Sequence, residues 1–308
     1  MIDPHSADAD RRRLWSCLGR LPPWPARVAG SRIGQDVRGN VAIERWKLYL
    51  KPFEAVPSLL TRPAAGAIRG VVLYQHAHGN RFEIGKDELT HGRPAMPPGP
   101  YGDALAVRGW AALAIDHWGF GERAHTSERM LFKSLLWEGS SLWGRRVFDA
   151  IAAVSWVRNV AAFRTLPLVA FGMSMGSTLA WWTAALDPRV DAVVEMCCLA
   201  EFRALLDSGA YDLHAEYFFV QGLAAEFTAA QINALIAPRP HLSIAGRADP
   251  LTPEAGLESI DAALGAAYAS AGAPGAWRQS VHPGGHEETP AMREEVLRFL
   301  DRLAPSSG

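Results

Sequence analysis

Short, almost fully apolar runs alternate with longer mixed stretches along most of this chain. The apolar runs are residues 71–74, 111–115, 166–171, 190–197 and 242–245. Strands of a parallel sheet that is covered on both faces have this composition. The stretches with helical patterns are residues 101–109, 147–160, 175–186, 253–271 and 290–303. This alternation predicts an α/β fold with a doubly wound, mostly parallel sheet flanked by helices.

The chain is expected to form a single domain over residues 41–308, preceded by a helical and irregular lead-in over residues 1–40. Residues 41–50 alternate like a strand, and the Pro-, Ala- and Gly-rich residues 52–66 read as a connection. Two aromatic-rich segments, at about 125–146 and 200–236, interrupt the strand and helix rhythm. Because ligands of such sheets bind at the carboxyl ends of the strands, we expect both segments to be short helical insertions over a site there.

Composition excludes several classes of partner. The chain has 308 residues, is 49% hydrophobic and carries a net charge of −1, from 31 Lys and Arg against 32 Asp and Glu. This balance gives no overall attraction to nucleic acid or to an anionic membrane, and no apolar run is long enough to span a bilayer. The three cysteines, Cys17, Cys197 and Cys198, favour a reducing compartment, and no signal peptide is evident. We therefore expect a cytoplasmic protein, and leave its oligomeric state open.

Residues 172–176, Gly-Met-Ser-Met-Gly, stand between the apolar run 166–171 and the predicted helix 175–186. Alone, this cluster could be only a turn. In the context of a strand and a helix it matches the G-x-S-x-G turn that exposes a nucleophilic serine, where glycines remove Cβ atoms that would collide. The pattern predicts Ser174 as a nucleophile.

Asp249 and His286 are the predicted partners of this serine. A serine hydroxyl needs an imidazole to take its proton, and that imidazole needs a carboxylate to orient it. Asp249 follows the strand 242–245, and His286 follows the strand candidate 277–281 in a loop with one Pro and two Gly. Since all three residues come just after predicted strands, one edge of the sheet should bring them together.

Two residues compete for these roles. His282 lies closer to its strand than His286, but we expect it to shape the loop through a hydrogen bond. Glu195, near the end of the run 190–197, is the competing acid, and Asp249 is preferred because its loop is more turn-like.

The predicted oxyanion donors are two backbone N–H groups. One is Met175, which follows the nucleophile at a helix start, where the helix dipole favours negative charge. The other comes from residues 76–80, His-Ala-His-Gly-Asn, which follow the strand 71–74. We choose His78, with Asn80 as the alternative.

Other site types are less well supported. His76 and His78 could ligate zinc with His282 or His286, but no carboxylate or cysteine lies at helical ligand spacing. Residues 79–86 only partly match a phosphate loop, and no G-x-G-x-x-G follows a strand. We therefore expect neither a metal nor a cofactor.

Several motifs together resemble the dienelactone hydrolase-like and acetyl-xylan-esterase-like branches of the α/β-hydrolase superfamily, over roughly residues 65–303. These motifs are residues 76–79 (His-Ala-His-Gly), 101–110, 116–123 (Asp-His-Trp-Gly-Phe-Gly-Glu-Arg), 172–176, 236–240 (Ile-Ala-Pro-Arg-Pro) and 285–286 (Gly-His). The resemblance implies an α/β-hydrolase fold and the same triad of Ser174, Asp249 and His286. Dienelactone hydrolases proper use cysteine as the nucleophile, so Ser174 favours the esterase side.

The function expected from this sequence is hydrolysis of a small-molecule carboxylic ester through an acyl-enzyme. The alternatives are a peptidase or amidase with the same triad, or a binding module that has lost catalysis on this scaffold. The aromatic insertions suggest an apolar substrate pocket, for which we choose Trp137 and Phe218.

Overall fold

The strands of the computed structural model form one mixed sheet. The model describes residues 4–50 and 52–304, and it describes side chains from residue 7 onward. Residues 1–3 of the predicted lead-in, and residues 51 and 305–308 of the predicted domain, lie outside the described residues. The strands are β1 (Ala29–Arg38), β2 (Val41–Tyr49), β3 (Ala55–Pro63), β4 (Gly70–Gln75), β5 (Trp110–Ile115), β6 (Leu168–Met173), β7 (Ala192–Met196), β8 (His241–Gly246) and β9 (Trp277–His282). In that part of the chain the sheet has nine strands, in the order β1-β2-β3-β5-β4-β6-β7-β8-β9.

The helices connect the strands and cover both faces of the sheet. They are α1 (Pro4–Cys17), α2 (Glu88–His91), α3 (Tyr101–Val107), α4 (Glu128–Trp137), α5 (Leu142–Asn159), α6 (Met175–Leu186), α7 (Phe202–Ser208), α8 (Leu223–Glu226), α9 (Ala229–Ala234), α10 (Glu254–Ser270) and α11 (Pro290–Leu303). The five predicted helices correspond to α3, α5, α6, α10 and α11, although α5 begins five residues earlier than expected. Ser141 caps that earlier start through its hydroxyl, which accepts the Gly144 N–H.

The parallel part of the sheet confirms the predicted fold class. The five predicted apolar strands are β4 to β8, and each pairs in parallel with its neighbours among β4 to β9. All residues of β4 are buried, and they alternate between the two sides of the sheet. Val71 and Leu73 join one hydrophobic cluster, whereas Val72 and Tyr74 join the other. A strand buried on both faces therefore needs apolar residues at successive positions, as residues 71–74 provide.

Residues 52–66, expected to be a connection, contain the buried strand β3. It pairs antiparallel with both β2 and β5, so it is an interior strand. Its two prolines, Pro57 and Pro63, are unusual in an interior strand because proline has no N–H to donate. The carbonyl of Pro57 nevertheless accepts the Asp116 N–H at 2.9 Å, so this proline still contributes to the sheet through its oxygen.

The lead-in over residues 1–40, expected to be helical and irregular, holds α1 and also the edge strand β1. This strand pairs antiparallel with β2, with a register shift between Arg32 and Gly34. Most of its residues are exposed or half-buried. A polar edge strand interrupted by glycines lacks the apolar alternation from which strands are recognised.

Both predicted insertions are helical. The first holds α4 and the start of α5, and the second holds α7, α8 and α9 with short 3₁₀ turns. Among the described residues, none of the helices is both long and apolar enough to cross a membrane.

Candidate active site

The turn that carries Ser174 joins the central strand β6 to α6. Ser174 has φ 59° and ψ −121°, a left-handed conformation that L-residues rarely adopt, and its N–H donates to the Met196 carbonyl at 2.9 Å. A Cβ on Gly172 or Gly176 would lie 2.5 or 1.9 Å from the Gln75 carbonyl oxygen. The two glycines are therefore required by the close approach of β4 to this turn.

Ser174, His286 and Asp249 form a continuous chain of hydrogen bonds. His286 Nε2 lies 2.9 Å from Ser174 Oγ, and His286 Nδ1 lies 2.8 Å from Asp249 Oδ2. Because the carboxylate accepts from Nδ1, the proton of the neutral imidazole sits on Nδ1 and Nε2 is free to accept the serine proton. The Asp249 side chain is fully buried, whereas 26% of the His286 side chain is exposed.

The acid and base loops are fastened to each other. The Arg247 N–H donates to the His282 carbonyl, and the Ala248 N–H donates to the Gly284 carbonyl, each at 2.8 Å. A Cβ on Gly246 would lie 2.2 Å from the Gly285 carbonyl oxygen. The main chains of the two loops therefore pack directly on one another, which fixes the distance between Asp249 and His286.

The two competing residues have other partners. His282 Nε2 bonds to Glu295 at 2.8 Å, so its ring ties the end of β9 to α11. Glu195 is fully buried and accepts the Ser177 hydroxyl at 3.0 Å, and its other oxygen lies 3.7 Å from His241 Nε2. The hydrogen bonds of His286 are to Ser174 and Asp249 instead.

Two backbone amides near Ser174 remain candidates for the oxyanion site. The first hydrogen bond of α6 runs from the Thr178 N–H to the Ser174 carbonyl, so the Met175 N–H precedes the helical ladder. The Asn80 N–H already donates to His78 Nδ1 at 3.1 Å. This bond removes Asn80 as a free donor and leaves His78 as the choice in that loop.

Sequence comparison identifies a close relative over nearly the whole chain. The chain is 37% identical over 294 residues to "Putative hydrolase YtaP" of Bacillus subtilis (strain 168), which covers 95% of this chain and 98% of the relative. The chain belongs to that hydrolase family. No protein-family model matches it.

Solved structures share the fold of this hydrolase. A putative acetyl xylan esterase from Bacteroides fragilis NCTC 9343 matches with a TM-score of 0.67 at 17% identity, over 91% of this chain and 74% of that chain. A glucuronoyl esterase from Solibacter usitatus matches with a TM-score of 0.67 at 14% identity, over 94% and 90%. These matches establish the α/β-hydrolase fold.

The hydrolase also has a buried network beside the candidate site that sequence reasoning missed. His78 Nε2 lies 3.0 Å from both carboxylate oxygens of Glu128, and Arg146 donates to Glu128 at 2.6 Å. Burial acts to raise the pKa of the Glu128 carboxyl, but the His78 hydrogen bond and the Arg146 charge outweigh it and hold that pKa below its usual value. Glu128 and Arg146 lie in and at the end of the first insertion, where they are two of several charged residues and no sequence pattern distinguishes them.

The second insertion reaches the same place from the other side. The Tyr217 ring stacks on His78 with centroids 5.0 Å apart. His214 Nε2 donates to the Leu251 carbonyl, two residues after Asp249, and the Phe218 ring stacks on His214 with centroids 4.3 Å apart. Burial, together with the neighbouring His286, lowers the pKa of His214.

The two predicted pocket residues have different environments. Phe218 is half-buried among aromatic rings of the second insertion. Trp137 is 95% exposed at the end of α4, so the expectation that it lines a pocket is not met in this structure. Trp137 ends the helix on its solvent side, and helical periodicity alone did not distinguish the two sides.

His76, Cys197 and Cys198 are buried in the protein interior. His76 Nε2 accepts the His117 N–H, and burial lowers the pKa of His76 to about 3. No group of three potential metal ligands occurs among the described residues. All three cysteines are free, and burial raises the pKa of Cys198 to about 12, which leaves its thiol protonated and weakly nucleophilic.

Proposed function

We propose that this protein is a serine hydrolase that cleaves a small-molecule carboxylic ester through an acyl-enzyme. The observation that carries the proposal is the hydrogen-bonded chain Ser174–His286–Asp249, with heavy-atom distances of 2.9 and 2.8 Å. A nucleophile, a base and an orienting acid within hydrogen-bond reach are the requirements for this chemistry.

In the first half-reaction Ser174 Oγ attacks the ester carbonyl carbon, and its proton passes to His286 Nε2. Asp249 keeps the other ring proton on Nδ1 and stabilises the imidazolium that forms. The N–H groups of Met175 and His78 are the proposed donors to the oxyanion. When the intermediate collapses, the C–O bond to the alcohol breaks and His286 returns the proton to the leaving alkoxide.

In the second half-reaction water takes the place of the alcohol. His286 removes a proton from water, the resulting hydroxide attacks the acyl carbon, and Ser174 leaves with the proton from Nε2. The products are a carboxylic acid and the free serine. The ester class is supported by the fold neighbours, which are named as a putative acetyl xylan esterase and a glucuronoyl esterase.

The direct test is turnover of p-nitrophenyl acetate by the wild-type protein and by Ser174→Ala. We expect the variant to lose at least about three orders of magnitude in kcat. Ser134→Ala is the control, because the exposed Ser134 hydroxyl bonds to the Leu131 carbonyl of its own helix. Undiminished turnover by Ser174→Ala would contradict the proposal.

A parallel assay with the matching p-nitroanilide separates ester from amide specificity. Faster turnover of the anilide than of the ester would favour the amidase alternative. Absence of Ser174-dependent turnover of either compound, with no labelling of Ser174 by a fluorophosphonate, would favour the binding module.

A further inference from the structure

Both backbone groups of Ala77, the residue before the proposed oxyanion donor His78, are held by charged side chains. The Ala77 N–H donates to the two carboxylate oxygens of Glu88 at 3.2 and 3.1 Å. The Ala77 carbonyl accepts from Arg93 Nη2 at 2.9 Å. The carboxylate on the N–H and the guanidinium on the carbonyl, together with His76 Nδ1 at 3.1 Å from the same carbonyl oxygen, fix the orientation of the two peptide planes that meet at Ala77.

Arg93 and Glu88 are an ion pair in the protein interior. Their side chains are in contact and are 4% and 0% exposed. The Tyr74 hydroxyl also donates to Glu88, at 2.7 Å. Burial raises the pKa of Glu88, and the charge of Arg93 acts against that rise. Burying two charges is costly and is often no more stabilising than an apolar pair, so stability alone is a weak explanation for this arrangement.

The Arg93 contact sets the direction of the His78 N–H. In a trans peptide the C=O of one residue and the N–H of the next lie in the same plane and point in opposite directions. Among the described residues the cis peptide is the Ala237–Pro238 bond, so the Ala77–His78 peptide is trans. With the Ala77 oxygen turned toward Arg93, the His78 N–H points away from the guanidinium.

The loop that carries this peptide is also in contact with the Ser174 turn. A Cβ on Gly176 would lie 1.9 Å from the Gln75 oxygen and 3.0 Å from the His76 oxygen. The main chain thus passes over the first turn of α6 just before it reaches Ala77 and His78. On the other side, a Cβ on Gly79 would lie 2.7 Å from Arg93 Nη1, so the guanidinium supports the loop from beneath.

We propose that Arg93, held in place by Glu88, is a positioning residue for the oxyanion site. It fixes the Ala77–His78 peptide so that the His78 N–H is available to the developing oxyanion, and its charge polarises that peptide toward stronger donation. This inference rests on the proposed hydrolase function. Arg93 acts through the peptide and takes no part in proton transfer.

The test compares Arg93→Met, Arg93→Lys and the doubly neutral Glu88→Gln/Arg93→Met. The readouts are kcat and KM for p-nitrophenyl acetate and the inhibition constant of phenylboronic acid, whose tetrahedral adduct with serine places an oxygen in the oxyanion site.

We expect Arg93→Met to lose about 10- to 100-fold in kcat, less than or similar to the loss of a whole oxyanion donor. Phenylboronic acid affinity should fall by the same factor, while KM stays within about twofold, since the interaction matters mainly in the transition state. Arg93→Lys should recover part of kcat, because an ammonium can still donate one hydrogen bond to the Ala77 carbonyl.

The matched control is Asp187→Asn/Arg189→Met, which removes another ion pair with a buried carboxylate. Asp187 and Arg189 lie in the loop between α6 and β7, at the far end of α6 from Ser174. This control should lower thermal stability without changing kcat or boronate affinity. A merely structural role for Arg93 would give the same result as the control.

The outcomes separate this inference from the function on which it rests. Lack of Ser174-dependent turnover in the wild-type protein overturns both. Wild-type turnover with unchanged kcat and boronate affinity in folded Arg93 variants, or a loss confined to KM, overturns the role of Arg93 alone. If Arg93→Met does not fold because Glu88 is left unpaired, the same criteria apply to Arg93→Lys and to the doubly neutral variant.

Discussion

At the scale of single residues, Ser174 is held in a conformation that the chain would not adopt on its own. Its positive φ costs of the order of 1–3 kcal/mol, which surrounding contacts must offset. The N–H bond to the Met196 carbonyl and the contacts of Gly172 and Gly176 with β4 supply such contacts. The same conformation turns the hydroxyl to His286 Nε2. The strain thus belongs to the residue that would carry the chemistry.

The proximity of Ser174, Asp249 and His286 was predictable because it follows from strand order. Ser174, Asp249 and His286 each follow a parallel strand, and parallel strands end at one edge of the sheet. Glu128 and Arg93 were not predicted. Glu128 meets His78 across 50 positions of sequence, through side chains whose direction depends on how an insertion packs. No local pattern encodes such a contact.

At the scale of elements, the two insertions converge on His78. Glu128 of α4 bonds to its ring, and Tyr217 of the second insertion stacks on it. The two segments predicted to be insertions are helical, whereas Trp137, which was assigned to a pocket, is exposed. Likewise, β3 was missed because its prolines and short apolar stretch resemble a connection, and only pairing with β2 and β5 reveals it.

The contrast between Phe218 and Trp137 gives a prediction about acyl-chain preference. Phe218 stacks on His214, which holds the loop of Asp249, so Phe218→Ala should open space beside the site. We expect the ratio of kcat/KM for p-nitrophenyl octanoate over acetate to rise by about 10-fold. Trp137→Ala is the matched control, since its side chain is 95% exposed, and its ratio should not change. Equal ratios in wild type and Phe218→Ala would exclude Phe218 from the pocket.

At the scale of the whole molecule, one sheet positions the site and also buries histidines that must stay neutral. Burial lowers the pKa of His76 to about 3 and also lowers the pKa values of His117 and His214 from their usual 6.5. In the unfolded chain these groups take up protons as the pH falls through 6.5, whereas in the folded protein they do so only at lower pH. Their contribution to stability is therefore complete above about pH 6.5 and is lost progressively below it.

Urea unfolding at several pH values tests this prediction. Between pH 6 and pH 5 the free energy of unfolding should fall by about 1.4 kcal/mol per pH unit for each of His76 and His117, whose pKa values burial lowers most. His117 Nε2 contacts the Gln75 side chain at 2.7 Å, and the His117→Gln variant can keep a donor to that side chain. In this variant the pH dependence of the free energy of unfolding should be smaller by the contribution of one histidine. A free energy of unfolding that does not change over this range, or a slope that is the same in the variant, would contradict the account.

The most direct measurement of the central claim is the mass of the protein quenched in acid during turnover of p-nitrophenyl acetate. We predict a burst of p-nitrophenol together with one added acetyl group, which peptide mapping assigns to Ser174. Ser174→Ala should show neither the burst nor the adduct. Steady turnover with the acetyl group on another residue, or turnover that survives in Ser174→Ala, would contradict the assignment of Ser174 as the nucleophile.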